Sequence, residues 1–143
     1  MIGVVVVTHG QLATELLNAA ETIVGGLPRF AAVSIGWHED TADAREEIEQ
    51  AVSRVKQDGG VLILTDMFGG TPSNLAMTFL GDSVEVITGV NLPMLIKLAG
   101  LPEQADLLTA AREMREQGRA AIWVASDLLR GEKSNHEDPK NAK

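Results

Sequence analysis

The chain has 143 residues, of which 45% are hydrophobic and 22% charged, which is enough to build one domain around a buried core. It contains no cysteine, so disulfides, thiolate metal sites and a cysteine nucleophile are excluded. Its net charge of −8 argues against a nucleic acid partner and favours a partner with a basic surface.

The apolar run at the N-terminus, over 2–7, is too short for a secretory signal peptide, and no basic region accompanies it. No stretch of the sequence approaches the length of a membrane span. We therefore expect a cytoplasmic protein that does not insert directly into a membrane.

Strands and helices are predicted to alternate along the chain. Unbroken apolar runs indicate strands buried on both faces, and apolar residues at a spacing of three to four indicate amphipathic helices. In chain order the sequence predicts a strand over 2–7, a helix over 11–24, a strand over 30–35, a helix capped by Asp40 or Thr41, a strand over 61–65, a helix over 72–80 capped by Thr71, a strand over 84–88, helices over 91–100 and 102–117, and a strand over 119–126.

This order predicts an α/β fold with a doubly wound, flavodoxin-like sheet whose four central strands lie in the order 2-1-3-4. The fifth strand, 119–126, departs from the alternation, because two helices precede it. We expect it to pair antiparallel at an edge, within one chain or with a second copy. The domain is predicted to cover 1–128, and 129–143 are predicted to be a disordered polar tail.

A histidine and an aspartate follow the first and third predicted strands, which are neighbours in this sheet. His9 ends the first strand and Asp66 follows the third. The topology therefore brings an imidazole and a carboxylate to the crevice at the carboxyl edge of the sheet. A carboxylate that accepts one ring N–H fixes the tautomer and leaves the lone pair of the other nitrogen available. Because no serine or cysteine elbow is present, His9 itself is the candidate nucleophile.

The residues around this pair favour a phosphoryl group as the ligand. Gly10 removes a side chain beside His9, and Gly69 and Gly70 allow backbone N–H groups to approach an anion. Thr71 is predicted to cap the next helix, with Pro72 as its first residue, and to donate a hydroxyl. No metal site is predicted, and no cofactor is expected.

Each of these features alone has an ordinary structural explanation, such as a hydrogen-bonded histidine or a glycine turn. Their coincidence at one predicted crevice favours a functional site. His38, which follows Trp37 at the same edge, is interpreted as a solvated loop residue within reach of a partner. His136 falls in the predicted tail and is expected to be inert.

At these residues the chain resembles the mannose-type enzyme IIA domains of the bacterial phosphoenolpyruvate-dependent sugar phosphotransferase system. The resemblance covers about 1–125 and rests on three motifs in the same order: VVTHG over 6–10, TDMFGGTP over 65–72 and GVNLPML over 89–95. Two departures concern Phe68, where tryptophan is frequent, and Ser73, where a bulkier residue is frequent. Both are expected at the docking rim, which would leave the chemistry intact.

The resemblance implies a phosphoryl relay. His9 would accept the phosphoryl group on Nε2 from the histidine-containing phosphocarrier protein, Asp66 would orient the ring through Nδ1, and Thr71 would help bind the group. The phosphoryl group would pass to a separate IIB protein for sugar uptake, or serve as a regulatory signal. The resemblance also implies a homodimer that exchanges a C-terminal strand. Trp37, Phe68 and Asn91 are the candidate docking residues.

Two other functions remain open at this point. The crevice could bind a small anion without covalent chemistry, in a regulatory interaction module. A histidine phosphatase is the less favoured alternative, because that chemistry needs an arginine beside the nucleophile and Thr8 stands there.

Overall fold

Four strands form the centre of the protein, and the structure, a computed structural model, describes residues 1–131. The strands are β1 (Gly3–His9), β2 (Phe30–Ile35), β3 (Val61–Thr65) and β4 (Val84–Thr88). All neighbouring strands are parallel, and their order is β2-β1-β3-β4. The predicted α/β class and the predicted order of the four central strands are confirmed.

Helices cover both faces of this sheet. They are α1 (Leu12–Val24), α2 (Thr41–Val55), α3 (Thr71–Met77), α4 (Leu92–Ala99), α5 (Leu107–Ala120) and a short α6 (Ala125–Leu129). One core lies between the sheet and α2 with α3, and the other lies between the sheet and α1, α4 and α5. The two layers of helix explain why successive positions of the central strands are apolar, over 4–7 of β1 and 61–64 of β3.

The valines of β1 show how this pattern builds the fold. Val5 and Val7 belong to the core under α2 and α3, whereas Val4 and Val6 belong to the opposite core. All four are completely buried, as expected when successive side chains of a strand point to opposite faces. Burying each valine contributes about 1.5–3 kcal/mol, so β1 anchors both layers and fixes the position of the residue that ends it.

The third helix begins one residue earlier than predicted. Gly70, not Thr71, is the N-cap of α3, and its φ of 87° turns the chain into the helix without a side-chain cap. Thr71 is therefore in the first turn with Pro72. The helix ends at Met77 instead of 80, because Thr78, Phe79 and Leu80 donate to carbonyls three residues back and tighten the last turn.

The fifth helix begins later and ends later than predicted. The Asp106 side chain accepts from the Thr109 amide and caps α5, so 102–106 precede the helix. Gly118 does not end α5. It lies inside the helix, where a Cβ would come 2.7 Å from Sδ of Met94. The glycine permits close packing of α5 against α4, which its sequence position alone does not reveal.

The strand predicted over 119–126 is not a strand in this chain. Arg119 and Ala120 belong to α5, Ala125 begins α6, and 121–124 have no regular secondary structure. Ile122, Trp123 and Val124 are 59%, 44% and 63% exposed. No strand of the described chain pairs with them, which is the physical reason why the apolar pattern does not produce a strand here.

The predicted tail lies almost wholly outside the described residues, and so does His136. Of the tail, 129–131 are described, and Leu129 still belongs to α6. Within 1–131, no helix is long and apolar enough to cross a membrane.

Candidate functional site

The predicted pair of His9 and Asp66 meets at the carboxyl edge of the sheet. Strands β1 and β3 are hydrogen-bonded neighbours, and Val7 lies opposite Thr65 in their register. His9 ends β1, and Asp66 follows β3 directly. The expectation that the topology brings the imidazole and the carboxylate together is confirmed, because Nδ1 of His9 lies 2.7 Å from Oδ2 of Asp66.

Asp66 holds His9 by more than its ring. The same oxygen, Oδ2, accepts a hydrogen bond from the His9 amide at 3.0 Å, and Oδ1 accepts from the Met67 amide at 3.0 Å. The imidazole side chain is 47% exposed, whereas the carboxylate is 14% exposed. The acid is therefore a fixed, largely covered support, and the ring that it carries faces outward.

The electrostatics of this pair favour the ionised acid. Burial acts to raise the pKa of Asp66, but hydrogen bonds from the His9 ring and amide and from the Met67 amide outweigh it, so the pKa lies below the usual value. An ionised Asp66 acts only as an acceptor, so Nδ1 carries the proton that it accepts. The lone pair of neutral His9 is then at Nε2.

The loop of Gly69 and Gly70 borders that nitrogen. Both glycines have positive φ, 85° and 87°, a conformation that side chains disfavour. A Cβ at Gly70 would lie 3.2 Å from both Nε2 and Cε1 of His9, whereas a Cβ at Gly69 would meet no atom within 4 Å beyond its chain neighbours. Gly70 is therefore the residue that leaves the edge of the ring accessible.

The four predicted phosphoryl-binding residues differ in what their backbone offers. The amide of Gly10 donates to the carbonyl of Ile35 at 2.9 Å, and the amide of Gly69 donates to Oγ of Ser73 at 3.0 Å. Among residues 1–131, no acceptor is found for the amides of Gly70 and Thr71 or for the Thr71 hydroxyl. The donors available to an anion are thus those of Gly70 and Thr71.

Two buried hydroxyls support the site, and sequence reasoning did not identify either role. Thr8 is fully buried, and its Oγ1 accepts from the Ala13 amide at 2.7 Å and donates to the His9 carbonyl at 3.1 Å. Ser73 is also fully buried, so its expected place on the docking rim is wrong. A hydroxyl residue in the first turn of a helix is a capping signal, and Ser73 satisfies it, whereas Thr8 lies in β1 and no local signal predicts its bond to the second residue of α1.

Asn91 has an intramolecular role in this structure. It is the N-cap of α4, where its Oδ1 accepts from the Met94 amide at 3.2 Å and its Nδ2 donates to the Gly118 carbonyl at 3.1 Å. Both ends of the amide are therefore engaged between α4 and α5. The structure does not bring Asn91 into contact with the pair of His9 and Asp66.

An apolar rim lies on the same edge of the sheet as His9, and we define it as Leu12, Trp37, Met67 and Phe68. These side chains are 46%, 94%, 57% and 74% exposed, respectively. Trp37 follows β2, Met67 and Phe68 follow β3, and Leu12 begins α1. Exposed aromatic residues of this kind are typical of the anchors of protein interfaces.

No group of acidic or histidine side chains within 1–131 is arranged to hold a metal ion.

A family model described as the PTS system fructose IIA component, of the mannose-type IIA family, matches residues 3–114. The chain is 28% identical to the PTS system fructose-specific EIIA component of Bacillus subtilis, over 98% of this chain and 97% of that protein. It is 34% identical to the PTS system mannose-specific EIIAB component of Escherichia coli, over 85% of this chain. The match spans 39% of the length of that second protein.

Solved structures show the same similarity. A PTS IIA protein associated with the fucose utilization operon of Streptococcus pneumoniae superposes with a TM-score of 0.79 at 26% identity, covering 90% of this chain and 96% of that one. The mannose/sorbose specific IIA subunit of the phosphotransferase system of Enterococcus faecalis gives a TM-score of 0.77 at 27% identity, covering 85% and 92% of the two chains.

Proposed function

Because the chain belongs to the mannose-type IIA family of the sugar phosphotransferase system, we propose that it relays a phosphoryl group through Nε2 of His9. The observation that supports this most directly is the 2.7 Å contact between Nδ1 of His9 and Oδ2 of Asp66. This contact directs the lone pair of the ring to Nε2, at the side of the ring that Gly70 leaves accessible.

The chemical step is an in-line transfer between two nitrogens. The lone pair of Nε2 forms a bond to phosphorus while the bond from phosphorus to the donor nitrogen breaks, and the electron pair of that bond stays with the donor. The ring of His9 gains positive charge, which the ionised Asp66 stabilises through Nδ1–H. The reverse sequence passes the group to the next acceptor.

We assign the phosphoryl oxygens to the start of α3. The amides of Gly70 and Thr71 and the Thr71 hydroxyl supply donors there, and Gly10 and Gly69 contribute the space and the turn. No lysine or arginine lies in the two motifs that form the site, 6–10 and 65–72. The charge of the group is therefore met by backbone dipoles, and a cation from the partner would add to them.

The donor in this proposal is the histidine-containing phosphocarrier protein, and the acceptor is a separate IIB protein, in the cytoplasm. The apolar rim and the net charge of −8 fit partners that present an apolar patch ringed by basic residues. Trp37 and Phe68 are the proposed anchors.

We also propose that the protein is a homodimer in which 119–126 add to the sheet of a second copy. Val124 already has extended dihedrals, φ −88° and ψ 124°, and its neighbours are exposed and apolar. Strand β4 is an edge of the sheet, and a groove of about 320 Å³ between β4 and α5 runs along it. Pairing there would give hydrogen-bond partners to the backbone of β4 and cover the exposed apolar side chains of 122–124.

Incubation with phosphoenolpyruvate, enzyme I and the phosphocarrier protein tests the relay. The wild-type protein should gain one acid-labile phosphate, and His9→Ala should gain none. Phosphate uptake by His9→Ala would overturn the assignment. Phosphate bound without a covalent bond would favour the anion-binding module instead.

Substitution of Asp66 tests the role of the acid. Asp66→Ala should slow phosphoryl acceptance by at least about 10–100-fold, the range known for losing the partner that orients a metal-bound histidine. The fold should persist, because Asp66 contributes orientation and little packing. Circular dichroism, and hydrogen exchange at amides other than those of His9 and Met67, should therefore match those of the wild type, and an unfolded Asp66→Ala protein would contradict a role limited to orientation.

A further inference from the structure

The loop that borders Nε2 of His9 is held by two hydrogen bonds of different kinds. The Gly70 carbonyl accepts from the Asn74 amide at 3.0 Å, a backbone bond that any helix start at this point would form. The Gly69 amide donates to Oγ of Ser73 at 3.0 Å, which depends on one side chain. The second bond is therefore the one that the sequence has to supply.

Ser73 is well placed to control the geometry of this loop. It is the third residue of α3 and is completely buried, so its hydroxyl is held in a fixed position. It reaches back to the amide of Gly69, the residue before the N-cap, one position further than the third residue of a capping box reaches. Gly69 and Gly70 both have positive φ and would otherwise be the least restrained residues of the site.

We propose that Ser73 is a positioning residue for phosphoryl transfer, whose hydroxyl fixes the Gly69–Gly70 loop beside Nε2 of His9. This inference rests on the proposed function and adds a residue to it. It also assigns the Gly69 amide to the support of the loop, so this amide does not bind the phosphoryl group. A Cβ at Gly70 would lie 3.2 Å from Nε2 of His9, and the glycine leaves this space open. The position of that space then depends on the buried hydroxyl of Ser73.

The test uses Ser73→Ala together with the pair Ser73→Thr and Ser73→Val. Threonine and valine have nearly the same shape, and only threonine carries a hydroxyl. Ser73→Ala and Ser73→Val should accept the phosphoryl group about tenfold more slowly than the wild type, because a small misplacement in an active site is costly. Ser73→Thr should recover most of the difference between Ser73→Val and the wild type. Ser34→Ala, at a half-buried hydroxyl on β2 that pairs with Thr14 and not with the Gly69–Gly70 loop, is the matched control and should keep the wild-type rate.

A second measurement reports on the loop without any phosphate. In the unphosphorylated protein, the Gly69 amide should exchange with solvent at least several-fold faster, and its proton resonance should shift, in Ser73→Ala but not in Ser34→Ala. If the wild type takes up no phosphate, the proposed function fails, and the role of Ser73 fails with it. If the wild type is phosphorylated and Ser73→Ala matches its rate, only the role of Ser73 is overturned. Equal rates for Ser73→Thr and Ser73→Val, with both folded, would overturn it in the same way.

Discussion

His9 owes its orientation to single atoms of its neighbours. One carboxylate oxygen of Asp66 accepts hydrogen bonds from both the amide and the ring of His9. The Thr8 hydroxyl donates to the His9 carbonyl. The meeting of His9 and Asp66 could be predicted, because strand order and strand ends follow from apolar runs. The supporting roles of Thr8 and Ser73 could not, because the group that each hydroxyl bonds depends on which buried groups lie opposite one another in three dimensions.

At this scale, Gly70→Ala and Gly69→Ala form a matched pair. Both positions have a positive φ, so alanine strains the backbone similarly in each, by about 1–2 kcal/mol. Only at Gly70 does the new methyl group approach Nε2 of His9. We expect Gly70→Ala to slow phosphoryl acceptance at least tenfold more than Gly69→Ala. The two substitutions should lower the free energy of unfolding, measured in urea, by similar amounts. Equal rates would show that crowding at Nε2 is unimportant.

Helices α3 and α5 show why the ends of elements are harder to predict than their existence. Pro72 and Pro102 both suggested helix starts, but α3 begins at Thr71 after a glycine cap, and α5 begins at Leu107 after the Asp106 cap. Gly118 suggested a helix end, yet it lies inside α5. A Cβ at this position would come 2.7 Å from Sδ of Met94 on α4, so the glycine serves the packing of the two helices. Local patterns contain the capping residues but not the packing that decides among them.

The start of α4 provides a stability prediction. Asn91→Ala removes the cap and the hydrogen bond to Gly118, and should lower the free energy of unfolding by about 1–3 kcal/mol. Asn91→Ser keeps a capping oxygen but not the reach to α5, so it should lose less. Denaturant unfolding measures both. Phosphoryl acceptance should be nearly unchanged in Asn91→Ser. A large rise in the phosphocarrier concentration that gives half-maximal phosphorylation would support the docking role predicted for Asn91.

Helix α2 provides a pH prediction. A hydrogen bond with Glu39, burial, and the negative charges of Glu39 and Asp43 raise the pKa of Glu47 from 4.5 to about 7. The folded state therefore binds this proton more tightly than the unfolded state, and the resulting stability is present below pH 4.5 and lost as the pH rises through about 7.

Glu47→Gln removes this titration. Its stability relative to the wild type, measured by denaturant midpoints, should therefore increase from pH 4.5 to pH 8. Glu49→Gln, which removes an exposed carboxylate from the same helix, is the matched control. A Glu47→Gln difference that does not vary with pH, or that varies no more than the Glu49→Gln difference, would contradict the prediction.

At the scale of the whole molecule, the sheet and its two helical layers follow from the sequence, whereas the C-terminal segment does not. The apolar residues of 119–126 have the pattern of a strand, but within one chain no open edge receives them. A sequence pattern records that a segment is suited to pairing, and does not record whether the partner is the same chain.

The dimer can be tested through one residue of that segment. Val124→Glu should convert the protein to a monomer in sedimentation experiments, because it places a charge where an apolar residue would be covered. Leu129→Glu, at an apolar residue that is 87% exposed on α6 and outside the proposed strand, should leave the dimer intact. A monomeric wild type, or equal effects of the two substitutions, would contradict strand exchange.

The two hydrogen bonds from His9 to one Asp66 oxygen have a consequence for the rate of the proposed relay. Because the amide and the ring are tied to the same atom, the imidazole is restrained before any donor arrives, and capture of the phosphoryl group would not require it to turn. The entropy of ordering the ring is then lost when the chain folds and not when the donor docks.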